Sequence, residues 1–317
     1  MKKNKNRLGF GIVILFFIML IFPKTVFSGA SDGLLLWFQI LLPTLFPFLL
    51  VTNLLLATGT IHYIASAFGG MCSRIFRVSP NGSFAVLTGF LCGYPMGAKM
   101  TADLTTAGYI KPQEGRYLLS FCNNTSPVFI LNFIVWKTLN DESFALPTLL
   151  ILMLSPVIVS FFTRKKYLSV QNQTFAAADP PLYHPNQKIH PAGFQKLDEA
   201  IMDSFETLIK VGGYIILFSV ILAVFQNFPT VLPGIRYLLP FLEMTNGILF
   251  FAKSELPLFI QYPLIVGLSA FGGICSVAQT QCMIQKAGFS IRPYIKEKLA
   301  AALTASTLSL IYLFLFR

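Results

Sequence analysis

The chain has 317 residues, 55% of them hydrophobic and 12% charged, with a mean hydropathy of +0.67 and a formal net charge of +11. Soluble domains carry about a quarter charged residues, so the composition excludes disorder and argues against a water-soluble fold. The excess of Lys and Arg fits cytoplasmic loops facing anionic lipid rather than nucleic acid, since no basic stripe interleaves with aromatics as a nucleic-acid groove requires.

Several apolar stretches are long enough to meet a hydrocarbon core. The first, Leu8 to Phe22, follows Lys2, Lys3, Lys5 and Arg7, which hold the amino terminus in the cytoplasm. A secretory signal with Ser28 and Ala30 at its cleavage site is the competing reading; the membranous remainder favours an uncleaved span. A short turn at Ser28 to Asp32 is expected outside, and Leu34 to Thr58 returns the chain. Ile61 to Phe76 places Ile61, Ile64, Phe68, Cys72 and Ile75 at helical spacing beside Arg74 and Arg77, the pattern of an amphipathic helix at the cytoplasmic surface. Ser83 to Ile110 is interrupted by Gly89, Gly93, Pro95, Gly97 and Gly108, and it emerges at Lys111 and Arg116 on the side it entered. That predicts a re-entrant hairpin or broken helix, whose unpaired backbone cannot face lipid. Tyr117 to Trp136 then crosses to Asp141 and Glu142, and Phe144 to Phe162 comes back to Arg164, Lys165 and Lys166.

A first membrane half, 1–163, is thus followed by a cytoplasmic linker, 164–193, broken by Pro180, Pro181, Pro185 and Pro191, and by a second membrane half, 194–317. His184 and His190 in the linker read as solvated, because nothing nearby completes a metal site. Phe194, Leu197, Ile201, Phe205 and Leu208 repeat with helical period, predicting a second interfacial helix ahead of a span from Val211 to Phe228. Next come a semi-polar stretch at Glu243 to Asn246, a broken apolar segment from Leu256 to Gln285 and a final span from Leu299 to Phe316. A shift of about 180 positions pairs Gly93 with Gly273, Ala98 with Ala278, Gly108 with Gly288 and Arg116 with Lys296. The predicted fold is therefore all-α: a polytopic transmembrane helical protein of two related halves, each with a broken or re-entrant hairpin. The repeat is inverted if Pro229 to Ser254 stays outside. Arg292, Lys296 and Lys298 would then also lie outside, against the positive-inside rule, and a span near Tyr237 to Phe251 would make the repeat parallel instead.

Corresponding interrupted segments in two halves point to a binding site at the repeat interface. In the first, Cys92, Gly93, Tyr94 and Pro95 interrupt the helix ahead of Lys99, an ammonium that needs an anion or a path to the surface. The competing reading makes Gly89, Gly93 and Gly97 a packing ridge. Later in the same half, Asn123, Asn124, Thr125 and Ser126 lie mid-span; adjacent polar residues cover every face of a helix, which favours an unwound, site-lining stretch over interhelical hydrogen bonding. Glu243 with Thr245 and Asn246 is a proton- or cation-coupling candidate if embedded and simply solvated if interfacial. Gly273, Ser276 and Gln279 form the second-half counterpart of the first break. The cysteines, Cys72, Cys92, Cys122, Cys275 and Cys282, fit neither a disulfide framework nor a metal site. No cofactor is expected, and the absence of an H-E-x-x-H or G-x-S-x-G motif argues against an enzyme.

Four stretches carry a likeness to a known family: Phe90 to Lys99, Ser120 to Pro127, Leu242 to Gly247 and Ser269 to Val277. Through them the chain resembles the YlbJ-like (SpoVV) sporulation integral membrane proteins of the nucleoside-recognition or Gate-domain group. The resemblance implies a multi-pass protein of the cell membrane or a membrane surrounding the forespore, moving dipicolinic acid during endospore formation, with a distant likeness to concentrative nucleoside transporters. A small aromatic dicarboxylate suits a site offering Lys99, half-helix N-termini and amide donors. The partners expected are the lipid bilayer and an anionic or nucleoside-like solute, with a coupling ion and the oligomeric state left open. A nucleoside or other polar-solute carrier and a non-transporting membrane scaffold or subunit remain the alternatives.

Overall fold

The computed structural model describes residues 2–168, 194–226 and 238–317, which are helical with no strand among them. Five stretches are long and apolar enough to cross a membrane: Pro23–Ala57, Glu142–Leu168, Phe194–Gln226, Leu258–Ala287 and Ile291–Phe316. The chain is a polytopic helical membrane protein.

Helix α1 (Lys2–Ile21) presents Phe10, Phe16, Phe17, Leu20 and Ile21 outward, as a lipid-facing helix does. The chain bends at Phe22, ahead of Pro23, into α2 (Pro23–Ala57). The turn expected at Ser28 to Asp32 is not a turn: these residues are helical. Their small side chains have another use, for Gly29 and Gly33 let α2 press against Ala223, Ser219 and Ile216 of α9 (Phe194–Gln226). Lower on the same interface Gly212 accommodates the Trp37 ring, whose indole N–H donates to the Leu208 carbonyl at 2.9 Å. Successive contacts run in opposite chain directions, so α2 and α9 are an antiparallel pair.

Helix α9 is unbroken, so the interfacial helix and the span expected in sequence are one element of 33 residues. Its packed face combines Leu208 of the predicted stripe with small residues beside it. Phe194 is 82% exposed and Phe205 38%, whereas Ala200, Ser204, Thr207 and Leu208 are buried. In lipid, aromatics lose nothing by facing outward, and small residues gain by letting backbones approach. Helix α3 (Ile61–Phe76) forms as expected, but it buries Ile61, Cys72 and Phe76 while Phe68, Met71 and Ile75 face outward. Both faces are apolar, which is not the one-sided pattern read from its sequence.

After α3 the chain builds the predicted hairpin from α4 (Pro80–Leu91) and α5 (Met96–Thr106). Ser79 caps α4 through the Gly82 amide at 3.1 Å, with Pro80 in the first turn. Helix α6 (Pro112–Leu119) follows. Gly82 faces Glu114 and Leu118 while Gly89 faces Cys122, so α4 runs parallel to the chain from Pro112 onward. Gly97 also faces Cys122, and Gly115 faces Thr105, so α5 runs antiparallel to it. The two arms therefore double back at Cys92–Pro95. Beyond α6 the helix unwinds from Ser120 to Ser126 and resumes, as an overwide π-type helix for most of its length, in α7 (Pro127–Leu139). Helix α8 (Ala145–Leu168) returns. Of the expected linker, Arg164 to Leu168 end α8, and the rest, with His184 and His190, lies outside the described residues.

In the second half, Glu243 opens the short α10 (Met244–Ala252), and α11 (Leu258–Phe271) and α12 (Gly273–Ile284) are separated at Gly272. Helix α13 (Ile291–Phe316) meets Pro263 through Ser306, Gly267 through Ala302 and Thr280 through Tyr294. The contacts advance steadily, so α11 and α12 form one kinked crossing and α13 the return. The 180-position correspondence has a backbone counterpart: Gly93 and Gly273 have φ of 85° and 78°, and Gly108 and Gly288 have 78° and 66°, the left-handed region open to glycine. The breaks match, but the first half doubles back where the second only kinks.

At the α7–α8 turn Asp141 accepts from the Ser143 hydroxyl at 2.6 Å and from Arg317 at 2.8 Å, and these bonds pull its carboxyl down to about 2. A depressed carboxyl stabilises the fold above its unfolded value near 4 and loses that effect as pH falls toward its folded one. The thermal midpoint should therefore drop between about pH 4 and pH 2 in wild type and lose that component in Asp141→Asn. A second expectation concerns the hairpin, since a Cβ at Gly89 would stand 1.7 Å from the Cys122 carbonyl oxygen and one at Gly97 2.0 Å. Gly89→Ala or Gly97→Ala should destabilise by more than about 2 kcal/mol, read as loss of monodisperse protein or a lowered thermal midpoint in detergent, whereas Gly70→Ala, with open space around it, should not.

Candidate functional site

The unwound stretch Ser120 to Ser126 lies between the hairpin and the second half, and its polar groups have explicit partners. The Asn123 amide donates to Thr280 Oγ1 and to Tyr294 Oη, both at 2.9 Å, and its Oδ1 accepts from the Ala98 amide at 3.3 Å. The Asn123 carbonyl accepts from Lys298 Nζ at 2.9 Å. Thr125 donates to the Ser269 carbonyl at 2.7 Å, and Asn124 Nδ2 to the Phe121 carbonyl at 2.6 Å. From the hairpin tip Tyr94 reaches across to donate to the Ala270 carbonyl at 2.9 Å. Both expectations for this stretch hold together: it is unwound, and its amides bond between helices.

Beside this layer lies a cavity of about 120 Å³. Its walls come from the hairpin tip (Cys92, Gly93, Tyr94), the end of the unwound stretch and the start of α7 (Thr125, Ser126, Phe129, Asn132, Phe133), the start of α10 (Glu243, Met244, Thr245) and the α11–α12 break (Gly272, Cys275, Ser276, Gln279). The apolar side is closed by α2 (Leu36, Ile40, Leu41) and α9 (Val211, Ile215). Where α2 lines it, the helix widens to a π-turn at Trp37–Leu41, just ahead of Pro43, which has no N–H to continue the regular ladder.

Three helices begin at this cavity, and their N-termini differ. Ser126 caps α7 by accepting from the Phe129 amide at 3.2 Å. Glu243, 5% exposed and thus embedded, caps α10: it accepts from the Thr245 and Asn246 amides, each at 2.9 Å, and from Asn246 Nδ2 at 2.8 Å. Both carboxylate oxygens are occupied in this way. No side chain caps α12; its Cys275 amide donates instead to the Leu242 carbonyl at 2.9 Å. Gln279 spends its Nε2 on Cys275 Sγ at 3.3 Å, and its carbonyl oxygen, like the Asn132 amide, has no protein hydrogen bond among the described residues.

Of the residues singled out in sequence, Cys92, Gly93, Tyr94, Ser126, Glu243, Thr245, Ser276 and Gln279 line the cavity. Asn123, Asn124, Pro95, Asn246 and Gly273 stand behind it as supports. Lys99 does not reach it: its ammonium is paired with Asp103 at 2.6 Å and donates to Asn53 Oδ1 at 3.2 Å. Asn53 in turn donates to Ser204 at 3.0 Å, so Lys99 joins α5 to α2 and α9. The buried cation next to the cavity is Lys298, 2% exposed and 4.8 Å from the centroid of the Tyr94 ring. With an inverted repeat and a last span from Leu299, the sequence places Lys298 in an outer loop, against the positive-inside rule; the helix begins at Ile291 and carries it inward. Asn132 was also missed, although a lone amide inside the apolar run Val128 to Trp136 is a readable signal. The described residues hold no cluster of His, Cys, Asp or Glu suited to a metal, and the cysteines are free.

Fold and site define a multi-pass membrane protein with a solvent-sized cavity where broken helices meet. Comparison with known proteins finds similarity to the sporulation integral membrane protein YlbJ of Bacillus subtilis (strain 168), 25% identical over 280 residues. This bears out the YlbJ-like resemblance; the match takes in 85% of this chain and 65% of the relative's length. No protein-family model and no solved structure matches.

The hydrogen bonds of Asn123 are open to a double-mutant test. Asn123→Ala and Tyr294→Phe should each lower the thermal midpoint, with a coupling energy of about 1 kcal/mol in the double mutant. Additive effects would show that this bond does not join the halves.

Proposed function

We propose that the chain is a permease for a small organic solute acting in endospore formation, and that the solute is dipicolinic acid. The observation that carries this reading is the cavity itself: it lies where the hairpin tip, the unwound stretch and the α11–α12 break converge, with the Gln279 carbonyl oxygen in its wall free of a protein hydrogen bond among the described residues. Interrupted helices inside a membrane are tolerated where they are held by protein or line a cavity, and transporters place their substrates at such breaks. A solute would supply the partner that the Gln279 oxygen lacks within the protein. The sporulation role rests on the similarity to YlbJ. An anion suits the start of α12, which carries no side-chain cap, and the apolar wall from α2 and α9 suits the faces of an aromatic ring.

On this reading Glu243 is a fixed structural charge rather than a substrate ligand, since helix amides occupy both its oxygens. The solute would rest between the hairpin tip and the kinked crossing. Relative movement of the two, which touch through Tyr94 and Ala270, would open one side and then the other.

Flux of labelled dipicolinate into proteoliposomes, with uridine as comparison, tests the proposal. Saturable dipicolinate uptake is expected, falling about tenfold or more in Gln279→Leu as a cavity polar contact is lost. Uptake of uridine alone would replace the dicarboxylate with a nucleoside. No flux of either from folded, inserted protein would overturn the permease reading in favour of an accessory subunit.

A further inference from the structure

The cavity has a neighbouring charge to which the permease reading assigns no task. Lys298 lies on the buried face of α13. Its Nζ donates to the Asn123 carbonyl at 2.9 Å and approaches Asn124 Oδ1 at 3.4 Å, and the π-face of Tyr94 is beside it. An ammonium has three N–H donors and a full charge, and all three of these neighbours are neutral. Among the described residues no carboxylate pairs with it, although other lysines have one: Lys99 has Asp103, Lys166 has Glu297 and Lys210 has Glu206.

The carboxylate next in sequence and the one in the cavity wall are both committed elsewhere. Glu297, next in sequence, turns the other way and accepts from Lys166 at 2.9 Å and Tyr167 at 2.6 Å. Glu243 faces the cavity with its oxygens held by the start of α10. A charged side chain at membrane depth is costly and as a rule pairs or marks a substrate pathway. Among the described residues Lys298 has no ion pair, it is buried, and of its neighbours Tyr94 lines the cavity while Asn124 leads directly into Thr125 and Ser126 of its wall.

We infer that Lys298 is the charge-selecting residue of this site: its ammonium, one side chain behind the cavity wall, favours an organic anion held there. The inference rests on the reading of the cavity as a solute site and adds its charge preference. Tyr94 is the positioning residue. Its ring lines the cavity and has the ammonium beside it, with the hydroxyl anchored on Ala270, so Lys298 stands behind the wall and its charge acts on the cavity across one side chain. A neutral solute of the same outline would fill the same space and leave the ammonium uncompensated.

The test is a binding measurement on purified full-length protein in detergent, by calorimetric titration with two probes of one shape, dipicolinate and its neutral diamide, pyridine-2,6-dicarboxamide. Wild type should prefer the dianion by about tenfold or more. Lys298→Gln, which keeps a donor for the Asn123 carbonyl but removes the charge, should abolish the preference while leaving diamide binding within a few-fold, and Lys298→Arg should keep most of it. The thermal midpoint of each variant establishes that it is folded. Should Lys298→Gln fail to fold, wild type and Lys298→Arg still decide the matter. Wild-type protein that does not prefer the dianion, whether it binds both probes alike or neither, overturns the inference, and so does a folded Lys298→Gln with its preference intact. Selective binding without flux in proteoliposomes would refute the permease and leave the charge assignment standing.

Discussion

A peptide segment that leaves the helical path inside a hydrocarbon layer must find other partners for its N–H and C=O groups, because neither lipid nor water supplies them there. In this protein the stretch from Ser120 to Ser126 leaves that path, and Asn123 is the residue on which its accommodation turns. Its side chain bonds to α5, α12 and α13, and its carbonyl holds Lys298. A single side chain thus couples the hairpin of the first half to the kinked crossing of the second. The cavity exists beside this layer because the helices that would otherwise pack through it are interrupted there.

The glycines serve the same constraint. The Cys122 carbonyl enters the space between the hairpin arms at Gly89 and Gly97, where a Cβ would collide with it. Gly93 and Gly272 take left-handed backbone at the hairpin tip and at the kink. A ridge of small residues and a broken helix were alternatives in the sequence; in the folded chain different glycines of one run satisfy each. Gly89 and Gly97 pack, and Gly93 turns.

Charge is distributed with comparable economy. Lys99 and Glu243 both looked like ligands because each is an ionisable group in an apolar setting. Lys99 is neutralised one helical turn away by Asp103, and Glu243 is stabilised by the amides of the helix it starts. Lys298, which looked like an ordinary loop lysine, has no such partner. A residue type and its hydropathic surroundings announce that a charge must be settled. The partner that settles it lies on another helix or another turn, and a linear pattern does not show which.

Long uncharged apolar runs, the interruptions at Gly93–Pro95, Asn123–Pro127 and Gly272–Gly273, and the 180-position pairing of glycines were legible in the sequence, and they were enough for the class of protein and for eight of the residues that line the cavity. These features are local: hydropathy sets whether a helix is stable in lipid, and Gly and Pro set where it breaks. Element ends and helix faces were not legible. Ser28 to Asp32 read as a turn and is a packing surface, Phe194 to Leu208 read as an interfacial helix apart from the next span and is one helix with it, and α13 starts eight residues before its apolar run. Lipid is as apolar as a protein core, so hydrophobicity cannot say which face of a membrane helix is inside. Only the tertiary structure, through the close approach of small residues and the pairing of buried polar groups, decided which of two lysines stands by the cavity.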